Sequence, residues 1–216
     1  MNEQGLNPKD QQLLNQLREK LITTKLPGFT AQRTMAPALR GEPADPPTDA
    51  RRASVLALLY PSAGRLTLLY IQRTSPKRDR HAGQISFPGG SVDPGDRNAE
   101  HTALRELEEE VGVPQTAVEI LGALSPLYIP VSNFMVDPFV GWTDERPTFT
   151  LQESEVARVL ELPFADFFTA SARQSGPRKL VNGMTLPDTP FWAVQDEEIW
   201  GATAMMTAEL MILSSI

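Results

Sequence analysis

The chain has 216 residues, 41% hydrophobic and 22% charged, a balance that suits a globular protein with one substantial core. It contains no cysteine, which excludes disulfides, a thiolate metal site and a cysteine nucleophile. A net charge of −7 argues against general nucleic-acid binding through backbone phosphates, and an anionic small substrate would need metal ions or a local basic patch.

The polar start MNEQGLNPKDQQLLNQLREK has no apolar centre, and no apolar run approaches a membrane span. A cytoplasmic protein, with neither a signal peptide nor a membrane partner, is therefore expected. Asn7-Pro8 pairs a helix cap with a proline at the first helical position, and Leu13, Leu14, Leu17 and Leu21 continue as a stripe that stops before Pro27-Gly28. That stripe is either an internal packing face or a homodimer contact. Residues 1–29 are set apart as an N-terminal accessory helix, and 30–216 as the main domain. Prolines 37, 43, 46 and 47 make residues 34–50 an irregular connection. Ala53–Tyr60 and Leu66–Gln72 then read as a hairpin across Pro61-Ser62-Ala63-Gly64.

A basic loop follows, with Arg73, Lys77, Arg78, Arg80 and His81. After it, Gln84–Phe87 reads as a strand that turns on Pro88-Gly89-Gly90, where glycine lets the backbone approach a ligand or metal closely. The next helix is well marked. Ala99, Ala103, Leu104, Leu107 and Val111 form its apolar face, Asp96 or Asn98 can cap it, and Gly112 suits its left-handed end. On this helix Glu106, Glu109 and Glu110 fall in one arc of roughly 100°. Like charges four apart repel, and the helix C-terminus disfavours anions. Charge and dipole argue against a passive surface, although a solvated acidic face is the commoner fate of such a run; three converging carboxylates also suit a hard divalent cation such as Mg²⁺ or Mn²⁺.

Further on, Val118–Leu124, Leu127–Ile129 and Met135–Trp142 are strand-like, and Glu153–Val159 reads as a helical turn running into Leu160–Leu162. Phe164–Thr169 suggests a short helix, Lys179–Val181, Met184–Leu186 and Phe191–Val194 late strands, and Ala202–Leu213 a closing helix. The whole pattern is α+β, a mixed sheet flanked by helices.

Taken together, the Pro88-Gly89-Gly90 turn and the run Arg105, Glu106, Leu107, Glu109, Glu110, Gly112, Val113 resemble the signature of the Nudix hydrolases. Gly90 lies one residue farther from Arg105 than the family pattern has it, and Asp96 stands where the family usually has Glu. The resemblance implies a Nudix fold, an α/β/α sandwich with a loop-helix-loop metal site. It also implies hydrolysis of a nucleoside diphosphate derivative with Mg²⁺ or Mn²⁺ held by Glu106, Glu109, Glu110 and a carbonyl near Gly90. In that scheme Arg105 orients Glu109, and the general base is Glu106 by resemblance, or else Glu153 or Glu155.

A narrower resemblance rests on Leu68-Leu69, Arg73-Thr74-Ser75, Arg80, Gly83 and Phe87-Pro88-Gly89-Gly90, which look like the added motif of coenzyme A diphosphatases. VSNFMVDPFVG (131–141) and ESEVARVLELP (153–163) are similar to the same branch. This implies cleavage of coenzyme A to 3′,5′-ADP and 4′-phosphopantetheine, with Arg73, Arg80, His81, Gly89 and Gly90 against the substrate. The rival expectations are another Nudix specificity, such as ADP-ribose or NADH, and a non-catalytic nucleotide-binding regulator. Tyr128, Phe134 and Trp142 are candidates to stack an adenine, although core packing is the commoner fate of such rings.

Overall fold

The computed structural model describes residues 5–38, 40–41, 45–74, 83–179 and 183–215. Helix α1 (Pro8–Thr23) starts where its cap is written: the Asn7 side chain accepts the Asp10 N–H at 3.0 Å. The leucine stripe turns inward, with Leu14 and Leu17 buried, so it serves packing within the chain. A one-turn helix, α2 (Phe29–Gln32), precedes the irregular connection.

Strands β1 (Arg51–Ser62) and β2 (Arg65–Arg73) form the expected hairpin, closed by Ala63 and Gly64, both at positive φ as a two-residue turn between twisted strands requires. β1 is apolar from Val55 to Pro61 because both of its faces are covered there. Leu56, Leu58 and Tyr60 join one core cluster, while Ala57 and Leu59 join the other.

β1 and β2 part beyond the Leu59–Leu68 pair, and the next residues fill the fork. β3 (Ile85–Ser86) pairs with β2 and β4 (Gly89–Ser91) pairs with β1, so Gly89-Gly90 is part of a strand as well as a turn. Helix α3 (Ala99–Val111) is capped by Asn98 and ends on Gly112 at φ 75°. It lies over the face built by Leu56, Leu58, Leu69 and Ile71.

β5 (Glu119–Ala123) and β6 (Leu127–Ile129) pair antiparallel with β7 (Phe134–Trp142), and β7 runs parallel to β1 along nine residue pairs. β8 (Val156–Pro163) covers the outer edge of β2. The strand therefore begins at Val156, and only residues 153–155 turn, which corrects the helical reading of Glu153–Val159. Pairing with β2 overrides the weak helical preference of this stretch.

β9 (Arg173–Lys179), β10 (Thr185–Val194) and β11 (Glu197–Trp200) form a separate three-stranded sheet. Met184–Leu186 and Phe191–Val194 read as two strands because Pro187 and Pro190 interrupt them; they are one strand with a shift in pairing between Leu186 and Thr189. The expected strand at Lys179–Val181 meets β9 only at Lys179, and residues 180–181 lie outside the described residues.

Helix α4 (Gly201–Ser214) is buried on nearly every side and packs, with α1, on the sheet face opposite α3. Helices thus cover both faces of a mixed eight-stranded sheet among the described residues. No helix among them is long and apolar enough to cross a membrane.

Candidate metal and active site

The three glutamates leave one helical turn but reach three different environments. Glu110 lies on the buried stripe of α3 with Ala103, Leu107 and Val111, and is 1% exposed. Its Oε2 accepts the Gly89 N–H at 2.8 Å, while Oε1 receives no hydrogen bond among the described residues and faces Arg73 Nη1 at 3.7 Å. Burial pushes this carboxyl up to about 8, against the pull of the Gly89 N–H and the Arg73 charge. Glu106 is half-buried over Gly90. Its carboxyl is also raised, first by burial, then by the charges of Glu109 and Glu155, with Arg105 opposing. Glu109 is exposed.

Arg105 organises the group. Its Nη1 donates to Glu106 Oε1 at 2.9 Å and to Glu109 Oε2 at 3.0 Å, and its Nη2 donates to the Ser91 carbonyl at 3.1 Å. The other side of the guanidinium forks onto Asp96, with Nε to Oδ1 at 2.9 Å and Nη2 to Oδ2 at 3.0 Å. Asp96 is half-buried with its side chain turned inward, and it also accepts the Asp93 N–H and the Thr102 hydroxyl, so its carboxyl is held well below the usual carboxylate range, first by Arg105. Asp96 is thus saturated by its own loop and helix and acts as the anchor of Arg105. Periodicity could not reveal this pairing, because Asp96 precedes the helix and reaches Arg105 through a turn.

Glycine is required twice. At Gly89, φ is 153°, and a Cβ would stand 2.3 Å from the Ser54 carbonyl oxygen and 2.6 Å from Val55 Cα. At Gly90 a Cβ would stand 2.5 Å from the Glu106 carboxylate, which fills the place a side chain would take.

Residues 150–155 close the site from the other side. Thr150 and Gln152 donate N–H groups to the Val111 and Glu110 carbonyls, satisfying the open end of α3. Thr74 N–H then binds the Glu155 carbonyl, tying this turn to the end of β2. The exposed Glu155 carboxylate thereby comes near enough for its charge to raise both Glu106 and Glu110.

The structure therefore brings Arg73, Gly89, Gly90, Arg105, Glu106, Glu109, Glu110 and Glu155 into one region. Arg80 and His81, together with Lys77 and Arg78, lie outside the described residues. The stacking candidates are committed elsewhere: Trp142 is buried with its indole N–H on Asp144, Arg51 covers Phe134, and the Tyr128 hydroxyl binds Asn133.

No three His, Cys, Asp or Glu side chains converge as a ready-made ligand set among the described residues. Arg105 draws Glu106 and Glu109 to itself, while Glu110 turns to Gly89. The donor set nonetheless fits a hard divalent cation: the carboxylates supply oxygen, Glu110 Oε1 is buried without a hydrogen-bond donor among the described residues, and two of the carboxyls are raised by burial. A cation at this place offsets that cost.

Comparison with known proteins agrees with this geometry. The NUDIX domain model matches residues 50–181, more than half of the chain. The "Uncharacterized Nudix hydrolase NudL" of Pectobacterium atrosepticum is 34% identical over 183 residues, covering 84% of this chain and 89% of its own length. The protein of the same name from Photorhabdus laumondii is 35% identical over 150 residues, covering 67% of this chain and 75% of its own. Among solved structures, a MutT/nudix family protein from Enterococcus faecalis aligns over 93% of this chain and 71% of its own at 16% identity and a TM-score of 0.47, too distant to add weight. The domain match, the extent of the NudL relatives and the loop-helix-loop around Glu106–Glu110 converge: the chain belongs to the Nudix hydrolase family and is a pyrophosphohydrolase.

Proposed function

We propose that the protein hydrolyses the diphosphate bond of coenzyme A or its derivatives to 3′,5′-ADP and 4′-phosphopantetheine or its acyl form. The observation that carries the chemistry is Glu110: a buried carboxylate with one oxygen lacking a hydrogen bond among the described residues, beside Glu106 and the Gly89-Gly90 strand. The coenzyme A assignment is supported by the run from Leu68 to Gly90.

Glu106, Glu109, Glu110 and the Gly90 carbonyl would hold Mg²⁺ or Mn²⁺. Bound there, the cation supplies a Lewis acid that offsets the diphosphate charge and acidifies the attacking water. The chain's own share is positioning, since phosphoryl transfer needs little covalent help. Arg105, anchored on Asp96, orients Glu106 and Glu109. Glu155, exposed at the rim and tied to Thr74, accepts the proton of the attacking water at its carboxylate. Arg73, Arg80 and His81 neutralise the substrate phosphates, with Arg80 and His81 suited to the extra 3′-phosphate of coenzyme A. Residues 1–29 are the accessory segment and 30–216 the hydrolase domain of a cytoplasmic protein.

The test is mass spectrometry of products, with Mg²⁺ or Mn²⁺ and equal amounts of coenzyme A, ADP-ribose and NADH. Fastest appearance of 3′,5′-ADP and 4′-phosphopantetheine supports the assignment. Faster cleavage of ADP-ribose or NADH keeps the metal site and removes coenzyme A as the preferred substrate. Nucleotide binding without cleavage points to a regulator.

A further inference from the structure

Strand β1 carries one polar side chain within its buried stretch. Ser54 is 0% exposed, and its hydroxyl has no hydrogen-bond partner among the described residues. Along β1 it is in phase with Leu56, Leu58 and Tyr60, so it points to the α3 face of the sheet. Its cross-strand partner on β4 is Gly90. Side chains of directly paired residues stand about 5 Å apart at Cβ. The side-chain place of residue 90 is taken by the Glu106 carboxylate, 2.5 Å from where a Cβ would be. Ser54 therefore lies beside the Glu106 carboxylate on the same face of the sheet, as the cross-strand neighbour of Gly90. An apolar residue would satisfy this strand better, because a buried hydroxyl without a partner keeps its desolvation penalty with no hydrogen bond to offset it.

We propose that Ser54 is a positioning residue of the metal site: its hydroxyl donates to the Glu106 carboxylate when cation binding turns that carboxylate away from Arg105. The inference rests on the reading of Glu106 and Glu110 as cation ligands, and not on the coenzyme A assignment. It accounts for a small polar residue in an apolar strand and for the missing side chain opposite it. It also leaves Glu106 with a donor in both states, Arg105 before and Ser54 after.

The test is Mn²⁺ binding to full-length protein by calorimetry or electron paramagnetic resonance, without substrate, together with the Tm of the metal-free protein. Ser54→Ala removes the hydroxyl, and Ser54→Cys replaces it with a slightly larger and weaker donor. Both variants are expected to keep or raise the metal-free Tm while weakening Mn²⁺ binding by about tenfold, the lower end for loss of a group that orients a ligand. Unchanged Mn²⁺ affinity in Ser54→Ala overturns the proposal and leaves Ser54 as a space-filler. A lowered metal-free Tm in both variants also overturns it, because the hydroxyl then has a partner without the cation. If the unaltered protein binds no Mn²⁺, the metal reading falls and this proposal with it. If it binds Mn²⁺ but cleaves no coenzyme A, only the substrate assignment falls.

Discussion

In the proposed cation site, Glu110 would serve the metal while burdening the metal-free fold. Its carboxyl titrates at about 8 in the folded chain against an ordinary 4.5, because burial penalises the charge. Between those values the folded state holds a proton that the unfolded state has released. Metal-free stability should therefore fall as pH rises from about 4.5 to about 8, and level off above. Urea unfolding across that range checks the sign, and Glu110→Gln should flatten the profile in it. The same variant should lose activity by about a hundredfold or more, measured as product release at saturating Mg²⁺. Cation binding must displace this proton, so Mn²⁺ affinity should rise with pH through the same window.

Within the loop-helix-loop, two neighbouring glycines make opposite demands. Gly90→Ala drives a methyl into the end of a flexible side chain, Glu106, so the fold survives while the carboxylate is displaced. A Tm within a few degrees of the original, with activity down at least about tenfold, is the expected pair of readings. Gly89→Ala instead meets the backbone of Ser54 and Val55, so the pairing of β4 with β1 is lost and Tm should drop sharply. Asp96 makes its contribution at the same scale. Asp96→Ala strips the fork from Arg105, and losing these half-buried, charge-assisted bonds costs about 1.5–3 kcal/mol. Denaturant unfolding measures that loss, and activity should fall with it as Glu106 and Glu109 lose their orienting partner.

Across the whole molecule, the active region depends on two cores held apart by one sheet. α3 rests on Leu56, Leu58, Leu69 and Ile71, while α1 and α4 close the opposite face through Leu14, Leu17, Met205 and Leu210. Buried Glu209 ties α4 to the α2 turn and the β5–β6 connection by accepting from Gly28 N–H, Gln32 and Ser125 N–H. The N-terminal helix is thus part of the packing beneath the strands that carry the candidate site. Leu17→Ala, at a side chain with 0% exposure, should cost about 3 kcal/mol by equilibrium unfolding. No measurable loss would detach α1 from the core.

The acidic helix, its caps, the hairpin before it and the closing helix were legible because each follows from local rules. Helical periodicity, an Asn cap, a terminal glycine and turn residues act within a few positions of one another. Late in the chain those rules misled, since prolines 187 and 190 split in sequence what pairing with β9 and β11 keeps as one strand. Helical spacing alone sets which carboxylates leave the helix in one arc. That Glu110 is buried against Gly89, that Glu106 occupies the side-chain place of Gly90, and that Asp96 holds Arg105 follow from folding. Those contacts form between segments that meet in the fork of β1 and β2. Burial and charge there depend on neighbours that no local spacing specifies.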